Sequence, residues 1–177
     1  MRYYQLIFFS LAVATGLEAY KFDSGQYFLS GGVGANVNVV RMTGAEASPK
    51  AYMPLSLTLD YKLDTALGVF GTIVPQFGGS ALSLLLHAGA KYHINLANAP
   101  YVPYLALAIS PSMMFAQGEP KNHLNLGLSP MLGLNYFVMA NFLLGLHVGF
   151  HPSLAWANGQ RQAEFGVSSL LDVSFKI

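Results

Sequence analysis

Residues 82–95 read LSLLLHAGAKYHIN, and their alternation decides the fold. One set of every second residue is Leu82, Leu84, Leu86, Ala88, Ala90, Tyr92 and Ile94, apolar throughout and ending beside an aromatic ring. The other set is Ser83, Leu85, His87, Gly89, Lys91, His93 and Asn95, mostly small, polar or charged. Side chains on a strand point alternately to opposite faces, so this segment is a strand with one wholly apolar face. Rising about 3.3 Å per residue with a tilt of about 40°, Leu82 to Ile94 climbs roughly 30 Å, the height of an apolar bilayer band and its border.

The same alternation recurs in seven further segments. The first strand is expected over Gln26 to Val40, with Tyr27, Leu29, Val33, Val37 and Val39 outward, and the second over Ala51 to Leu63, with Met53, Leu55, Leu57, Leu59 and Tyr61 outward. The others are expected over Ala66 to Phe77, Tyr101 to Phe115, Asn122 to Tyr136, Asn141 to His151 and Ala163 to Ile177. The connections alternate in length. Those at Leu63 to Ala66, Leu96 to Tyr101 and Tyr136 to Asn141 are tight, whereas Arg41 to Lys50, Ser112 to Lys121 and Pro152 to Gln162 are long.

The bulk composition narrows the class. The 177 residues are 53% hydrophobic and 10% charged, against about 25% charged in soluble domains. No stretch of eighteen uninterrupted apolar residues follows the N-terminus, so helical spans are not expected. In lipid every backbone polar group needs a partner within the protein, and besides helices only a closed barrel supplies that. A net charge of +1 argues against nucleic acid as a partner. The chain has no cysteine, which excludes disulfides and thiolate metal sites.

A soluble sandwich also alternates, but three features favour a membrane barrel. The polar face is built mainly of Gly, Ser, Ala, Asn and His rather than Lys and Glu, as the cramped lumen of eight strands requires. The strands exceed the usual five to six residues. The outward aromatics gather at strand ends: Tyr27, Tyr61, Tyr92, Tyr101, Tyr136, Phe142 and Phe175 on the short-turn side, and Phe77, Phe115, Phe150 and Phe165 on the other. Two such girdles flank the apolar band of membrane barrels, because amphipathic rings favour the headgroup zone. Arg2 followed by LIFFSLAV at Leu6 to Val13 reads as a secretory signal, so residues 1–19 are expected to be a cleaved signal peptide and 20–177 the barrel domain. Short periplasmic turns and longer outer loops place both termini of the mature barrel in the periplasm.

The strand dyads, the stretch Pro103-Tyr104-Leu105-Ala106-Leu107-Ala108 and the closing Val173-Ser174-Phe175-Lys176-Ile177 resemble the small outer-membrane barrel superfamily, the OmpX-like, OmpW-like and OmpA-barrel proteins. The resemblance implies an all-β, eight-stranded antiparallel up-and-down barrel in the bacterial outer membrane. It implies outer-membrane lipid and lipopolysaccharide as surroundings, and the periplasmic chaperones and barrel-assembly machinery as partners. Terminal strands of this superfamily usually end on an aromatic that serves assembly; here Phe175 keeps the outward phase two residues before Ile177.

The inward face carries the candidate chemistry. Asp60, Lys62, Lys91, Asp172 and Lys176, with His93 beside them, map to the turn-side half of the lumen. Unpaired buried charge is very costly, so they are expected to form a salt-bridged plug, with Lys91 contacting Asp60 or Asp172. His87, His93 and His147 face inward and His123 and His151 are expected near the outer rim; His147 and His151, about 13 Å apart along one strand, cannot share one metal ion, and neither metal nor cofactor is expected. His151-Pro152-Ser153 with Glu164 further on is similar to lipid A deacylases of the PagL type, which would make Ser153 the nucleophile, His151 its base and Glu164 the orienter. Pro152 and Leu154 depart from that pattern, and the dyad turns His151 and Glu164 inward rather than toward lipid. Arg41, Glu46, Lys50, Glu119, Lys121 and Arg161 are solvated loop charges that could meet lipopolysaccharide phosphates. Met113, Met114, Leu154 and Trp156 form an apolar element near the rim. The expected function is structural or surface-interacting with a side-chain-filled lumen; the alternatives are an OmpW-like conduit for small hydrophobic molecules and the deacylase.

Overall fold

The structure, a computed structural model, describes residues 22–41, 48–78, 81–96, 99–116, 123–157 and 160–177. The expected signal peptide lies outside the described residues, as do the side chains of Arg41, Glu46, Glu119, Lys121, His123 and Arg161. Eight strands follow one another in chain order: β1 Tyr27–Arg41, β2 Ser48–Lys62, β3 Leu67–Gly78, β4 Ala81–His93, β5 Tyr101–Ala116, β6 His123–Met139, β7 Phe142–Ala157 and β8 Gln160–Lys176. Each pairs antiparallel with the next, and β1 closes on β8 from Phe28↔Lys176 to Arg41↔Ala163. Closure leaves no edge, so the backbone donors and acceptors of the wall find partners within it.

The two faces of each strand separate as the alternation requires. Along β6, Leu132 is 59% exposed while its neighbour Met131 is 8% exposed. Leu57, Leu107, Ile109 and Leu171 stand outward in the same way on three other strands. A belt of exposed Leu, Ile and Val this large has no place in water; it is the surface of a membrane-spanning wall. Tyr27, Tyr92, Tyr101, Tyr136 and Phe175 are exposed at the short-turn end. There Tyr27 packs on Tyr61 with ring centroids 4.7 Å apart, and Phe142 on Phe175 at 5.0 Å.

Inside, small residues make room for large ones. Gly133 lies directly across from Tyr104, and a Cβ there would run into the Tyr104 ring. Tyr104 can therefore fold flat across the lumen with Phe70, Ala106, Ala108 and Met131 around it.

Two expectations about the elements need correction. Pro152 was expected to begin a long loop, but β7 continues to Ala157 and β8 starts at Gln160. The hairpin stays in register past the proline, with Pro152↔Phe165 and Ser153↔Glu164 as paired positions. Proline removes a donor without forbidding an extended backbone, so alternation carries through it. The sixth strand likewise runs past Tyr136 to Met139, with a register shift between Phe137 and Met139.

Candidate functional site in the barrel lumen

The lumen is organised in layers, beginning at the end that carries Phe22 and Ile177. Gly25, at φ 82°, turns the segment before β1 back toward the barrel, where its N–H donates to the Lys62 carbonyl at 2.8 Å. A left-handed φ suits glycine because it has no Cβ. The turn places Phe22, only 1% exposed, in the mouth of the barrel against Phe28, Val102, Phe137 and Leu143. These five apolar side chains form a stopper.

Above the stopper sits a charge cluster. Lys91 Nζ donates to Asp60 Oδ2 at 2.7 Å and lies over the rings of Phe70 and Tyr104, 4.6 and 5.2 Å from their centroids. Lys62 Nζ lies 3.8 Å from Asp60 Oδ1 and 4.1 Å from the Phe22 ring centroid. It also donates to His93 Nε2 at 3.1 Å, which leaves Nδ1 to donate to the Ala66 carbonyl at 3.2 Å. Each ammonium thus has a carboxylate neighbour and an aromatic face, the two surroundings that offset the loss of water. Asp172 belongs to a separate group: it accepts from His147 Nδ1 at 2.9 Å and from Ser56 Oγ at 3.1 Å. Gly32 allows this, because a Cβ there would collide with the Asp172 carboxylate. Lys176 is not part of either group. Its side chain is exposed, since the strand ends there and the stopper fills the lumen beside it.

The next layer is a chain of hydrogen bonds around five successive strands. His87 Nδ1 meets Ser110 Oγ at 2.7 Å, Ser110 meets Ser129 at 2.6 Å, Ser129 meets His151 Nδ1 at 2.7 Å, and His151 Nε2 meets Ser168 Oγ at 2.6 Å. Two of these links fall where the backbone ladder lapses beside prolines. Paired positions stop at Leu85↔Ser112 and resume at Ala88↔Ile109, next to Pro111. They stop at Gly127↔Ser153 and resume at Met131↔Gly149, between Pro130 and Pro152. The side chains tie the strands together where the prolines cannot donate.

The lumen is blocked rather than packed solid. One chamber, partly open to solvent, lies between the stopper and His151. A second lies on the long-loop side of His151 and is lined by Asn36, Asn125, Glu164 and several serines.

The triad suggested by sequence is not assembled. His151, Ser153 and Glu164 do share the inner face of one hairpin, but both His151 nitrogens are taken by Ser129 and Ser168. Glu164 accepts from Asn125 Nδ2 at 2.8 Å. His151 also sits within the lumen between the two chambers, not at the rim, because β7 continues beyond it. The apolar rim element divides: Met114 lines the second chamber, whereas Met113, Leu154 and Trp156 are exposed on the outer face. Phe22 was invisible in the sequence because it precedes the alternating segments. The histidine–serine chain was hidden because its links depend on strand stagger, which alternation does not specify.

No protein-family model matches the chain, and no curated protein matches it. Solved structures do. The outer membrane protein OprG of Pseudomonas aeruginosa matches at 15% identity, over 89% of this chain and 98% of that one, with a TM-score of 0.59. Neisserial surface protein A matches at 16% identity, over 87% and 98%, with a TM-score of 0.62. Ail, the attachment invasion locus protein of Yersinia pestis, matches at 15% identity, over 87% and 99%, with a TM-score of 0.52. The fold is that of the small outer-membrane barrels. At these identities the likeness concerns the wall, and function has to be argued from the lumen.

Proposed function

We propose that the chain is an integral barrel of the bacterial outer membrane with a structural or surface-interacting role and a lumen closed to through-flow. The exposed apolar belt and the shared fold support the location. The observation that carries the closed lumen is the stopper of Phe22, Phe28, Val102, Phe137 and Leu143, backed by the Lys91–Asp60 ion pair. An ion crossing the axis would have to displace five apolar side chains and then break a buried pair. The occupied nitrogens of His151 favour a non-catalytic reading over the deacylase. In this reading the outer wall meets lipid and lipopolysaccharide, both termini lie in the periplasm, and the role is exerted at the outer face.

Planar-bilayer recording of the folded protein tests this. A membrane that stays electrically silent after insertion is the expected result; a lasting open conductance would overturn it. Mass spectrometry of lipid A from cells with the wild-type protein or Ser153→Ala provides the enzymatic check, with identical profiles expected.

A further inference from the structure

The lumen has two barriers, the partition at His151 and the stopper at Phe22, and an imidazole bridges each of them. At the partition, His151 Nδ1 meets Ser129 Oγ at 2.7 Å and His151 Nε2 meets Ser168 Oγ at 2.6 Å. Ser129 and its other partner Ser110 line the loop-side chamber, whereas Ser168 lines the chamber next to the stopper. At the stopper, the His93 ring lies against Phe22, with centroids 4.5 Å apart. Its Nε2 faces Lys62, which lines that same inner chamber, and its Nδ1 donates to the Ala66 carbonyl in the turn between β2 and β3. Each ring thus has one nitrogen on either side of a barrier.

A neutral imidazole carries a proton on one nitrogen and a lone pair on the other. It can take a proton at the lone pair and release the one it held from the opposite nitrogen, so that a proton crosses and no other ion does. At His151, the Ser129 hydroxyl gives its proton to Nδ1 and is refilled through Ser110, while Nε2 releases its proton to Ser168. At His93, the Lys62 ammonium gives a proton to Nε2 and is refilled from the chamber, while the Nδ1 proton leaves at the turn. Turning of the ring resets each shuttle. Both ends of this route meet water: Asn38, Ser112 and Ser153 in the loop-side chamber are only half-buried, and Asp64 and Thr65 beside Ala66 are exposed. Between the two shuttles, Lys62 and Lys91 are balanced by Asp60 and Asp172 in the lining of the inner chamber, so a passing proton does not meet two uncompensated ammonium charges.

We infer that the barrel passes protons while excluding other ions, with His151 and His93 as the shuttles across its two barriers. This rests on the closed-lumen reading, since an open column of water would carry salt ions as well. Protons are far scarcer than salt ions at neutral pH, so their flux leaves a planar-bilayer recording silent.

The test uses the folded protein in phospholipid liposomes that enclose potassium chloride and the pH dye pyranine. A potassium electrode first records passive efflux; valinomycin is then added, and the potential it sets up drives protons inward. The unaltered protein is expected to show no potassium efflux before valinomycin, and a pyranine response faster than in protein-free liposomes. His151→Gln and His93→Gln keep a hydrogen-bonding side chain that cannot shuttle a proton. Each, checked for folding by its heat-modifiable gel migration, is expected to slow the response at least about tenfold. A response no faster than in protein-free liposomes would overturn the inference and leave the closed lumen standing. Undiminished flux in either folded variant would overturn it too. Potassium efflux through the unaltered protein would overturn the closed lumen as well. The comparison of protons with potassium needs no variant and stands even if neither substitution folds.

Discussion

Lys91 and Asp60 meet inside the lumen at 2.7 Å, on strands separated by β3, with the ammonium lying over the rings of Phe70 and Tyr104. The pair bridges β2 and β4 over β3 on the inner face, adding a cross-link to the backbone ladders. Its energetic role follows from what is left when one partner goes.

Asp60→Asn leaves two ammonium groups, Lys62 and Lys91, without their shared carboxylate. Breaking a buried pair in this way is expected to destabilise the barrel by about 3–5 kcal/mol, whereas Asp60→Leu combined with Lys91→Met should recover the part of the loss that comes from Lys91, with Lys62 still lacking its carboxylate. Urea unfolding in liposomes measures both. Equal losses in the single and double variants would contradict a paired role.

Phe22→Ala removes the centre of the stopper. Loss of a buried phenylalanine costs about 3–5 kcal/mol where the surroundings cannot collapse. It should also uncover Lys62, which is 2% exposed beneath the Phe22 ring. Acetylation followed by mass spectrometry should label Lys62 slowly in the wild type and quickly in the variant. Unchanged labelling would place Phe22 elsewhere.

Leu86→Arg puts a charge on the outer face of β4. Near the bilayer midplane this is expected to cost about 2–4 kcal/mol. A change near zero in the same unfolding assay would contradict the facing of the strand.

Asp64 lies in the turn between β2 and β3. Its Oδ1 accepts from the Leu67 N–H at 2.6 Å and the Ala66 N–H at 2.7 Å, and these bonds hold its carboxyl below the ordinary value. The turn is therefore supported above the unfolded carboxyl value of about 3.9, and that support is lost as pH falls through the lower folded value. A carbon-13 titration should find the Asp64 midpoint below that of an unstructured peptide; a midpoint at or above it would remove the two bonds.

The wall was legible because its signal is local. Leu132 beside Met131, or Leu86 beside His87, already gives lipid and lumen by parity. What misled was punctuation: Pro152 marked a loop by residue type, yet extended backbone tolerates proline, and the hairpin ran on to Ala157. That extension moved His151 from an expected rim into the lumen. The site was less legible because it depends on stagger between strands. Asp60 and Lys91 were expected on one level, but the separation of Asp172 with His147 and Ser56 needed the actual register. Phe22 carried no signal, since its position is fixed by a single left-handed turn at Gly25 rather than by any repeat.

The central claim is that alternate residues of β4 face lipid and lumen. The chain has no cysteine, so single cysteines at Leu84, Leu85, Leu86, His87 and Ala88 can each carry a nitroxide spin label in bilayers. Collision with dissolved oxygen, which concentrates in the hydrocarbon core, should be high at 84, 86 and 88 and low at 85 and 87. A flat or inverted profile across these positions would contradict a membrane-spanning barrel with this facing.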